Sequence, residues 1–218
     1  MGRRALRRID PNLDLSGWLA ELDDLPQPAT AAAMFGREAP LEVEVGSGKG
    51  LFLRTAAAEY PHRCFLGAEV VHKYARFTAA GLARRGLTNA KVLAGDALRL
   101  FAEWLPDQSV AAVHVYFPDP WWKARHRKRR VMRESFVRDV ERVLEPGGGL
   151  HFWTDVAEYF EASLEVLATC SRLVGPLPVP ERAAEHEMDY RTHFERRMRR
   201  HRAAVFRSEF RKTPLPST

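Results

Sequence analysis

The chain has 218 residues, a mass of 24.8 kDa and a net charge of +6, with 45% hydrophobic and 28% charged residues. These values are typical of one globular domain with a sizeable core, and they exclude two full domains. No apolar stretch approaches the ~18 residues that a membrane-spanning helix needs, and the basic N-terminus is not followed by the apolar stretch of a signal peptide. The only cysteines, Cys64 and Cys170, exclude a disulfide framework and a four-cysteine zinc site. We therefore expect a cytoplasmic protein without a membrane segment or a metal.

Positive charge is concentrated in three segments of the chain. Residues 1–10 carry +3, residues 123–133 carry +7 and residues 191–212 carry +7, so the remainder carries −11. Each Lys or Arg placed on a phosphate releases condensed counterion, and an acidic body with basic segments is typical of proteins that bind a nucleic-acid backbone. A single arginine-rich segment can also be a solvated face. Three such segments in one chain favour nucleic acid.

The chain divides into a lead-in and a periodic domain. Residues 1–40 show little periodicity, and Pro26, Pro28 and Pro40 interrupt regular structure, so we predict an arm or irregular lead-in there. A domain with a basic C-terminal segment is predicted over residues 41–212, followed by a tail over 213–218. Its strands are predicted at 41–45, 64–68, 91–94, 110–117 and 150–154, and its helices after residue 51 and at 72–85, 98–104, 133–144 and 156–169. This alternation predicts an α/β fold with a mostly parallel sheet and helices on both faces, because parallel neighbours need crossover connections.

Ligands of such sheets bind beyond the carboxyl ends of the strands, so the residues that follow each strand carry the functional signal. Glu44 lies in the first predicted strand, which ends in a turn containing Gly46, Gly48 and Gly50. Glycines permit a tight turn and close approach of a ligand to the backbone. A dinucleotide fingerprint would need glycine at position 51, where Leu51 stands, which disfavours a dehydrogenase. The spacing favours an adenosine-containing ligand without a pyrophosphate, although a purely structural turn is the alternative.

Two further acids follow the next two predicted strands. Glu69 ends the second strand, where a carboxylate can accept hydrogen bonds from a ribose diol. Asp96 follows the third strand, where it can meet the exocyclic amine of adenine or cap the next helix. Three acids and a glycine turn on successive strand ends indicate a site for S-adenosylmethionine, whose sulfonium is cationic.

The end of the fourth predicted strand carries the most specific feature of the chain. Pro118 and Pro120 bracket Asp119 and restrict the backbone, which holds the carboxylate at the reactive end of the cofactor. Trp121 and Trp122 follow, and then a run of basic residues that no core could use. We predict that at least one of these tryptophans packs against the loop, since an aromatic pair can serve either for packing or for stacking on a base.

These motifs together resemble the tRNA (guanine-N7-)-methyltransferase family, also called the TrmB family, over about residues 41–212. The resemblance rests on residues 44–50, 67–69, 95–97, 117–130, 146–148, 151–155 and 192–195. Trp122 and Trp153 stand where the family often has other residues.

The resemblance implies a class I S-adenosylmethionine-dependent methyltransferase with a Rossmann-like sheet. It implies that Asp119 is catalytic and that the cofactor is bound by Glu44, Gly46, Gly48, Glu69, Asp96 and Asp119. It further implies that the target guanosine or nearby RNA is held by Lys123, Asp155, Thr192 and Glu195. The implied substrate is the guanosine at position 46 in the variable loop of tRNA.

Two alternatives to this function stay open at the level of the sequence. One is an S-adenosylmethionine-dependent methyltransferase of another RNA or of a small molecule, against which the Asp119 motif and the basic C-terminal segment count. The other is a tRNA-binding protein that has lost catalysis, against which the intact Glu69, Asp96 and Asp119 count. No metal and no obligatory protein partner are expected in either case.

Overall fold

The computed structural model describes residues 6–180, 190–201 and 203–214. Its strands, numbered along the chain, are β1 (Leu19–Glu21), β2 (Leu41–Val45), β3 (Cys64–Glu69), β4 (Ala90–Ala94), β5 (Val110–Tyr116), β6 (Leu144–Thr154), β7 (Val174–Pro178) and β8 (Phe206–Arg211). Its α-helices are α1 (Ala31–Phe35), α2 (Leu51–Glu59), α3 (His72–Ala83), α4 (Ala97–Arg99), α5 (Glu134–Val143), α6 (Ala157–Cys170) and α7 (His193–Arg200). Within these ranges, every helix is too short or too polar to cross a bilayer.

The strands form a single sheet in the order β1-β4-β3-β2-β5-β6-β8-β7. The pairs from β1 to β6 are parallel, whereas β8 is antiparallel to both β6 and β7. This confirms the predicted α/β fold with a mostly parallel sheet. Strand β3 pairs with one edge of β2 and β5 with the other, so successive strands are added in opposite directions from β2. The strand order therefore reverses at β2. A ligand site is expected at that switch point.

Helices cover both faces of the sheet, as the alternation predicts. One face buries α2 and α3 through residues such as Phe52 and Leu82, and the other buries α5 and α6 through residues such as Phe136 and Tyr159. Phe52 is 1% exposed and contacts Phe65, His114 and Tyr116. Burying each such aromatic side chain contributes about 1.5–3 kcal/mol to stability. The packed helices hold the carboxyl ends of the strands in fixed positions.

Residues 6–40 contain more regular structure than the sequence predicts. Leu19–Glu21 add a parallel strand to the edge of β4, and the indole Nε1 of Trp18 donates to the carbonyl of Leu87 at 2.9 Å. Ala31–Phe35 form a helix capped by Thr30, whose hydroxyl accepts from the amide of Ala33. The expectation of an irregular lead-in is therefore wrong for these described parts, because a three-residue strand shows no measurable periodicity.

The antiparallel edge of the sheet was not predicted as structure. Residues 206–211 alternate between charged side chains and the buried Ser208 and Phe210, and they pair with β6. The basic residues of this stretch conceal its period-two pattern, which explains why it reads only as a basic segment. Its pairing brings the preceding segment, including α7, beside the ends of β5 and β6.

The glycine run before the last predicted strand is part of the strand rather than a separate turn. Strand β6 runs from Leu144 through residues 146–149, with an irregular register against β5 between Val110 and Ala112. A Cβ atom on Gly148 would lie 2.8 Å from the carbonyl oxygen of Glu145 and 3.1 Å from that of Ala111. These backbone oxygens belong to the strand pair, so they cannot move aside without disturbing it.

We expect Gly148→Ala to lower the free energy of unfolding by about 1–3 kcal/mol, because the added methyl group overpacks strand backbone. Gly17→Ala is the matched control, since nothing lies within 4 Å of a Cβ built on Gly17. Its effect should stay within about 0.5 kcal/mol. Urea denaturation of both variants measures the difference, and equal effects at the two sites would contradict this account of the strand.

Candidate active site

Two cavities lie side by side at the carboxyl ends of the central strands. The first cleft, of about 780 Å³, is lined by Glu69, Asp96 and Asp119 among others. The second cleft, of about 660 Å³, is lined by Glu44, the glycine turn and the start of α7. Gly46, Tyr116 and Phe117 line both clefts. The strand order reverses at this point, so the site lies where the fold predicts a ligand.

The glycine turn is built for close backbone contact. A Cβ atom on Gly50 would lie 2.1 Å from Cγ2 of Thr78, and its φ of 66° favours glycine for a second reason. The Thr78 hydroxyl donates to the carbonyl oxygen of Gly48 at 3.0 Å. Helix α3 therefore lies directly against the turn and fixes its position at the start of α2.

Glu69 connects the turn to the start of α3. One oxygen of its carboxylate accepts from the amide of Gly48 and the other accepts from the amide of Val71, each at 2.8 Å. The side chain is buried yet lines the first cleft. A carboxylate has about four acceptor sites, so each oxygen retains one for a ligand. This is compatible with the predicted hydrogen bonds to a ribose diol.

Glu44 is buried beneath the turn and has an unusual electrostatic environment. It is 3% exposed, and its Oε2 atom has no hydrogen-bond partner among the described residues. Burial, and next the charge of Glu69, raise the pKa of Glu44 to about 8, although Arg54 opposes this shift. The hydroxyl of Ser47 nearby in the turn is also buried without a partner. A cationic or hydrogen-bonding ligand group would relieve both costs.

Asp96 serves as a helix cap and as part of the cleft wall. Its Oδ1 atom accepts from the amide of Leu98 at 2.8 Å and caps α4, while the residue lines the first cleft. The capping alternative is therefore confirmed, and contact with an adenine stays a prediction for a residue that lines the cleft. Capping fixes one carboxylate oxygen, and the other remains available to a ligand.

The Pro-Asp-Pro loop presents Asp119 at the edge of the first cleft. Asp119 is exposed, and its Oδ1 atom accepts from the amide of Trp121 at 3.0 Å. Phe117 and Trp121 have positive φ values of 52° and 44°, which is uncommon for bulky residues. Backbone strain of this kind costs about 1–3 kcal/mol and is found where a loop is held for function.

Arg130 holds this loop in place from behind. Its Nε atom donates to the carbonyl oxygen of Pro120 at 2.7 Å, and its guanidinium lies 4.7 Å from the ring centroid of Tyr159. At 9% exposure it is the least exposed basic residue of its segment. Arg130 is therefore a structural residue, although the sequence groups it with residues that bind phosphate.

The two tryptophans of the loop differ in their environment. Trp121 contacts the ring of His126 edge-on at 5.6 Å between centroids, and the guanidinium of Arg129 lies 5.1 Å from its centroid. Trp122 is 64% exposed. The prediction that at least one tryptophan packs against the loop is thus confirmed for Trp121, and Trp122 is free to contact a ligand.

The residues predicted to bind substrate fall into two groups. Thr192 lines the second cleft, and its hydroxyl caps α7 by accepting from the amide of Glu195 at 2.9 Å. Glu195 is 3% exposed and accepts from the amide of Arg191, so its buried carboxylate holds the backbone just before α7 in place. Lys123 and Asp155 are on the loops after β5 and β6 but line neither cleft.

Basic side chains surround both clefts. Lys128, Arg129 and Arg133 line the first cleft, and Arg196 and Arg197 line the second. Two of the three basic segments therefore meet at this one site, as a phosphate-binding function requires. Residues 181–189 and 202, which adjoin or interrupt the third segment, lie outside the described residues.

Aromatic side chains separate the two clefts, and the sequence did not predict this aromatic partition. Tyr116 and Phe117 line both cavities, and Phe194 of α7 lies 4.8 Å from Phe117 between ring centroids. The position of Tyr116 and Phe117 at the end of β5 was a usable signal. Their contact with Phe194 was not, because the pairing of β8 with β6 places α7 here and was not predicted.

The sheet order, the glycine turn and the acid-lined cleft define a class I S-adenosylmethionine-dependent methyltransferase. Solved structures agree on this fold: the 16S rRNA methyltransferase KamB matches with a TM-score of 0.58 at 18% identity, covering 83% of this chain and 91% of that one. An antibiotic-related methyltransferase also matches with a TM-score of 0.58, at 16% identity over 81% of this chain and 90% of that one. At these identities the likeness shows the fold alone.

Sequence comparison identifies the family. Residues 38–208 match the family described as "Putative methyltransferase". A tRNA (guanine-N(7)-)-methyltransferase of Rhodopirellula baltica is 48% identical over 218 residues, covering 97% of this chain and 80% of the relative. An enzyme of the same name from Alkalilimnicola ehrlichii is 38% identical, covering 98% of this chain and 88% of the relative. The chain belongs to the tRNA (guanine-N7-)-methyltransferase family.

The residues present fit S-adenosylmethionine. The unpartnered Glu44 oxygen lies beneath the glycine turn, and carboxylates from Glu69 and Asp96 line the adjoining first cleft. A cofactor with a cationic sulfonium and an ammonium group is attracted by such a carboxylate-rich site. Among the described residues, no group of three or more His, Cys, Asp or Glu side chains is arranged to hold a metal ion.

The raised pKa of Glu44 predicts pH-dependent cofactor binding. Below about pH 8 the free protein holds a proton on Glu44, and a cationic ligand binds best after that proton is released. The affinity for S-adenosylmethionine should therefore rise with pH and level off above about 8. Glu44→Gln should flatten this profile and weaken binding. Isothermal titration calorimetry between pH 6 and 9 in buffers of different ionisation enthalpy measures both effects.

Glu59→Gln is the matched control, since Glu59 is exposed at the end of α2. A second readout uses the protein without ligand. A carboxyl whose pKa is raised on folding loses its stabilising contribution as pH rises through the folded value, here about 8. Glu44→Gln should remove this loss and raise the melting temperature at pH 9. An unchanged pH profile in Glu44→Gln would contradict the assignment.

The role of Arg130 predicts a stability effect that its exposed neighbours do not share. Arg130→Ala removes a charged hydrogen bond to the loop, which should cost about 1–3 kcal/mol. The melting temperature should fall by about 2–4 °C for each kcal/mol lost. Arg125→Ala, at an exposed position of the same segment, should leave it unchanged. Differential scanning calorimetry compares the two, and similar melting temperatures would refute the structural role.

Proposed function

We propose that this protein transfers the methyl group of S-adenosylmethionine to N7 of a guanosine in tRNA, at position 46 of the variable loop. The observation that carries the proposal is the position of Asp119, where the acid-lined first cleft meets side chains of the basic segment 123–133. The names of the relatives support the same reaction. Since tRNA is the proposed substrate, we further propose that the enzyme acts in the cytoplasm and needs no obligatory protein partner.

The chemistry of guanine N7 makes a general base unnecessary. N7 has an in-plane lone pair and no proton, so it attacks the methyl carbon directly. The new N–C bond forms as the S–C bond breaks, and the electron pair of that bond goes to sulfur. Bound S-adenosylmethionine supplies an activated methyl group. The positive charge moves from sulfur to the purine ring, so the protein has to position the base and stabilise a cation.

Asp119 is the residue suited to these tasks. Its carboxylate is exposed at the rim of the first cleft, and the hydrogen bond to the Trp121 amide fixes one oxygen. The other oxygen can accept from the N–H groups on the Watson–Crick edge of guanine. Its negative charge also favours a purine that becomes cationic during the reaction. We therefore assign Asp119 as the catalytic residue.

The cofactor is proposed to span the two clefts. Glu69 and Asp96 in the first cleft suit the ribose and the adenine, respectively. Gly46 and Gly48 have no side chains, so the methionine part of the cofactor can pass close to the protein backbone and reach Glu44. In this arrangement Glu44, Glu69 and Asp96 would hold the cofactor, which would supply its activated methyl group on the side of the site that carries Asp119.

The remaining predicted residues are proposed to hold the RNA. Thr192 faces the second cleft, and Glu195 keeps that segment in place through contacts with Arg191, Arg199 and Arg207. Lys123 and Asp155 are proposed to contact the RNA outside the clefts. Glu195 is therefore a positioning residue, whereas the sequence resemblance implies direct substrate contact.

The test is methylation of an unmodified tRNA transcript, with the product mapped by borohydride reduction and aniline cleavage, which is selective for 7-methylguanosine. We expect cleavage at position 46 with the wild-type protein. Asp119→Asn should lower kcat by about 10²–10³-fold, since removing one group that stabilises transition-state charge has an effect of that size. Its Kd for tRNA should not change, because the variant keeps the shape of the side chain.

A transcript with adenosine at position 46 is the substrate control and should give no cleavage. Methylation at another nucleotide, or of ribosomal RNA only, would favour the alternative of a different RNA substrate. Tight tRNA binding without any methyl transfer would favour a non-catalytic binding protein. Full turnover by Asp119→Asn would contradict the role of the carboxylate while leaving the reaction itself in place.

A further inference from the structure

A third cavity, of about 360 Å³, lies outside the two clefts and is strongly cationic. Among the described residues, the side chains that line it carry five formal positive charges and no carboxylate. The charged residues are Arg7, Lys49, Arg54, Arg84 and Arg85. We call this set the arginine pocket. Four of its five cations lie outside the three basic segments of the sequence, which is why charge patterning does not reveal it.

The pocket depends on a specific helix contact. The Nη1 atom of Arg54 donates to the carbonyl oxygen of Lys49 at 2.6 Å, which turns the guanidinium toward α3. A Cβ atom on Gly81 would lie only 3.1 Å from both Cδ and Nη1 of Arg54. Glycine within a helix costs about 0.5–1 kcal/mol relative to alanine. The absence of a side chain at Gly81 is what lets the half-buried guanidinium lie against α3.

Like charges lie close together in this pocket. Burial, and next the repulsion by Arg85, lower the pKa of Arg54. Glu44, which lines the neighbouring second cleft, acts on Arg54 from a distance but forms no ion pair with it. Within the described ranges, none of the five cations forms an ion pair with a carboxylate. An anion in the pocket would offset the repulsion.

The pocket adjoins the active site. Lys49 and His193 line both the arginine pocket and the second cleft. A polyanion whose target base enters the clefts therefore passes beside the pocket. Guanidinium groups suit this task because they bind phosphate oxygens in a bidentate manner.

We propose that the arginine pocket binds a backbone phosphate of the substrate RNA, on the side of the active site opposite the loop of residues 123–133. This proposal rests on the proposed function, since it takes the polynucleotide as the ligand that reaches the clefts. The pocket anchors the strand through charge alone and so adds affinity and register without reading sequence. Arg84 and Arg85, at exposed positions just after α3, form the rim of the pocket, and Arg54 forms its floor.

The test compares two double variants that each remove two positive charges. Arg84→Ala with Arg85→Ala empties the rim of the pocket. Arg138→Ala with Arg172→Ala is the matched control, at exposed positions on α5 and just after α6, on the opposite face of the sheet. Binding of unmodified tRNA is measured by filter binding between 50 and 300 mM salt. Kd for S-adenosylmethionine is measured in parallel and should not change in either variant.

The pocket variant should weaken tRNA binding by about tenfold near 0.1 M salt and reduce the slope of log Kd against log salt by about 0.9, since the loss of one phosphate contact changes the slope by about that amount. The control variant should keep the wild-type slope. Equal slopes for the pocket variant and the control would overturn the proposal. So would saturable binding of adenosine monophosphate or inorganic phosphate that disappears in the pocket variant while tRNA binding is unchanged.

These outcomes separate the pocket from the proposed function. Binding is measured without turnover. If the wild-type protein methylates no guanosine but the pocket variant shows the expected change of slope, the proposed reaction is refuted and the pocket is supported. If the wild-type protein methylates position 46 but the pocket variant binds tRNA normally, the reaction is supported and the pocket is refuted. Thermal unfolding of both variants checks for loss of structure. The melting temperatures should stay near that of the wild-type protein, because all four substituted arginines are exposed.

Discussion

The carboxylate of Glu69 is the contact on which the arrangement of the site depends. By accepting from the amides of Gly48 and Val71, it ties the glycine turn after β2 to the start of α3 after β3. Adjacent parallel strands end at the same edge of a sheet, but their loops diverge unless something connects them. A single buried carboxylate satisfies two backbone donors there and still has acceptor sites left for a ligand. The first cleft and the second cleft are therefore held in a fixed position relative to each other.

A second constraint follows from placing Glu44 behind Glu69. Two carboxyl groups close together in a buried place cannot both be ionised cheaply, and the pKa of Glu44 is raised accordingly. In the free site Glu44 is thus protonated and its Oε2 atom lacks a hydrogen-bond partner among the described residues, so a cationic cofactor can contact this oxygen once the proton is released. Arg54 lies between this acid and the arginine pocket, so one side chain influences both the cofactor side and the polyanion side. Electrostatics on the two sides of the glycine turn are consequently linked.

Much of the catalytic core was predictable from the sequence because it depends on local signals. Strand β2 coincides with the predicted residues 41–45, and Glu69, Asp96 and Asp119 line one cleft as their positions after successive strands indicate. The errors concern features that only tertiary structure decides. Arg130 looks like its basic neighbours in sequence, and only its contacts with Pro120 and Tyr159 show it to be structural.

The same reason explains the missed elements. Strand β8 has a period-two pattern obscured by charge, and its pairing with β6 is a long-range event that no local window contains. The arginine pocket draws on Arg7 from the lead-in, Arg54 from α2 and Arg84 at the end of α3. Residues so distant in the chain give no common motif. Charge patterning finds runs of basic residues, whereas this pocket is assembled by helix packing around Gly81.

The short strand β1 makes residues before position 41 part of the same sheet as the predicted domain. Its residues pair with Val92, Leu93 and Ala94, immediately before the loop that carries Asp96. Leu22, just after β1, lies within 3.5 Å of the place a side chain on Gly95 would occupy. A fragment beginning at residue 41 would leave the outer edge of β4 without its partner, and unpaired edges invite association with other chains. The wall of the first cleft that carries Asp96 is thus supported by a part of the chain that shows no clear pattern in the sequence.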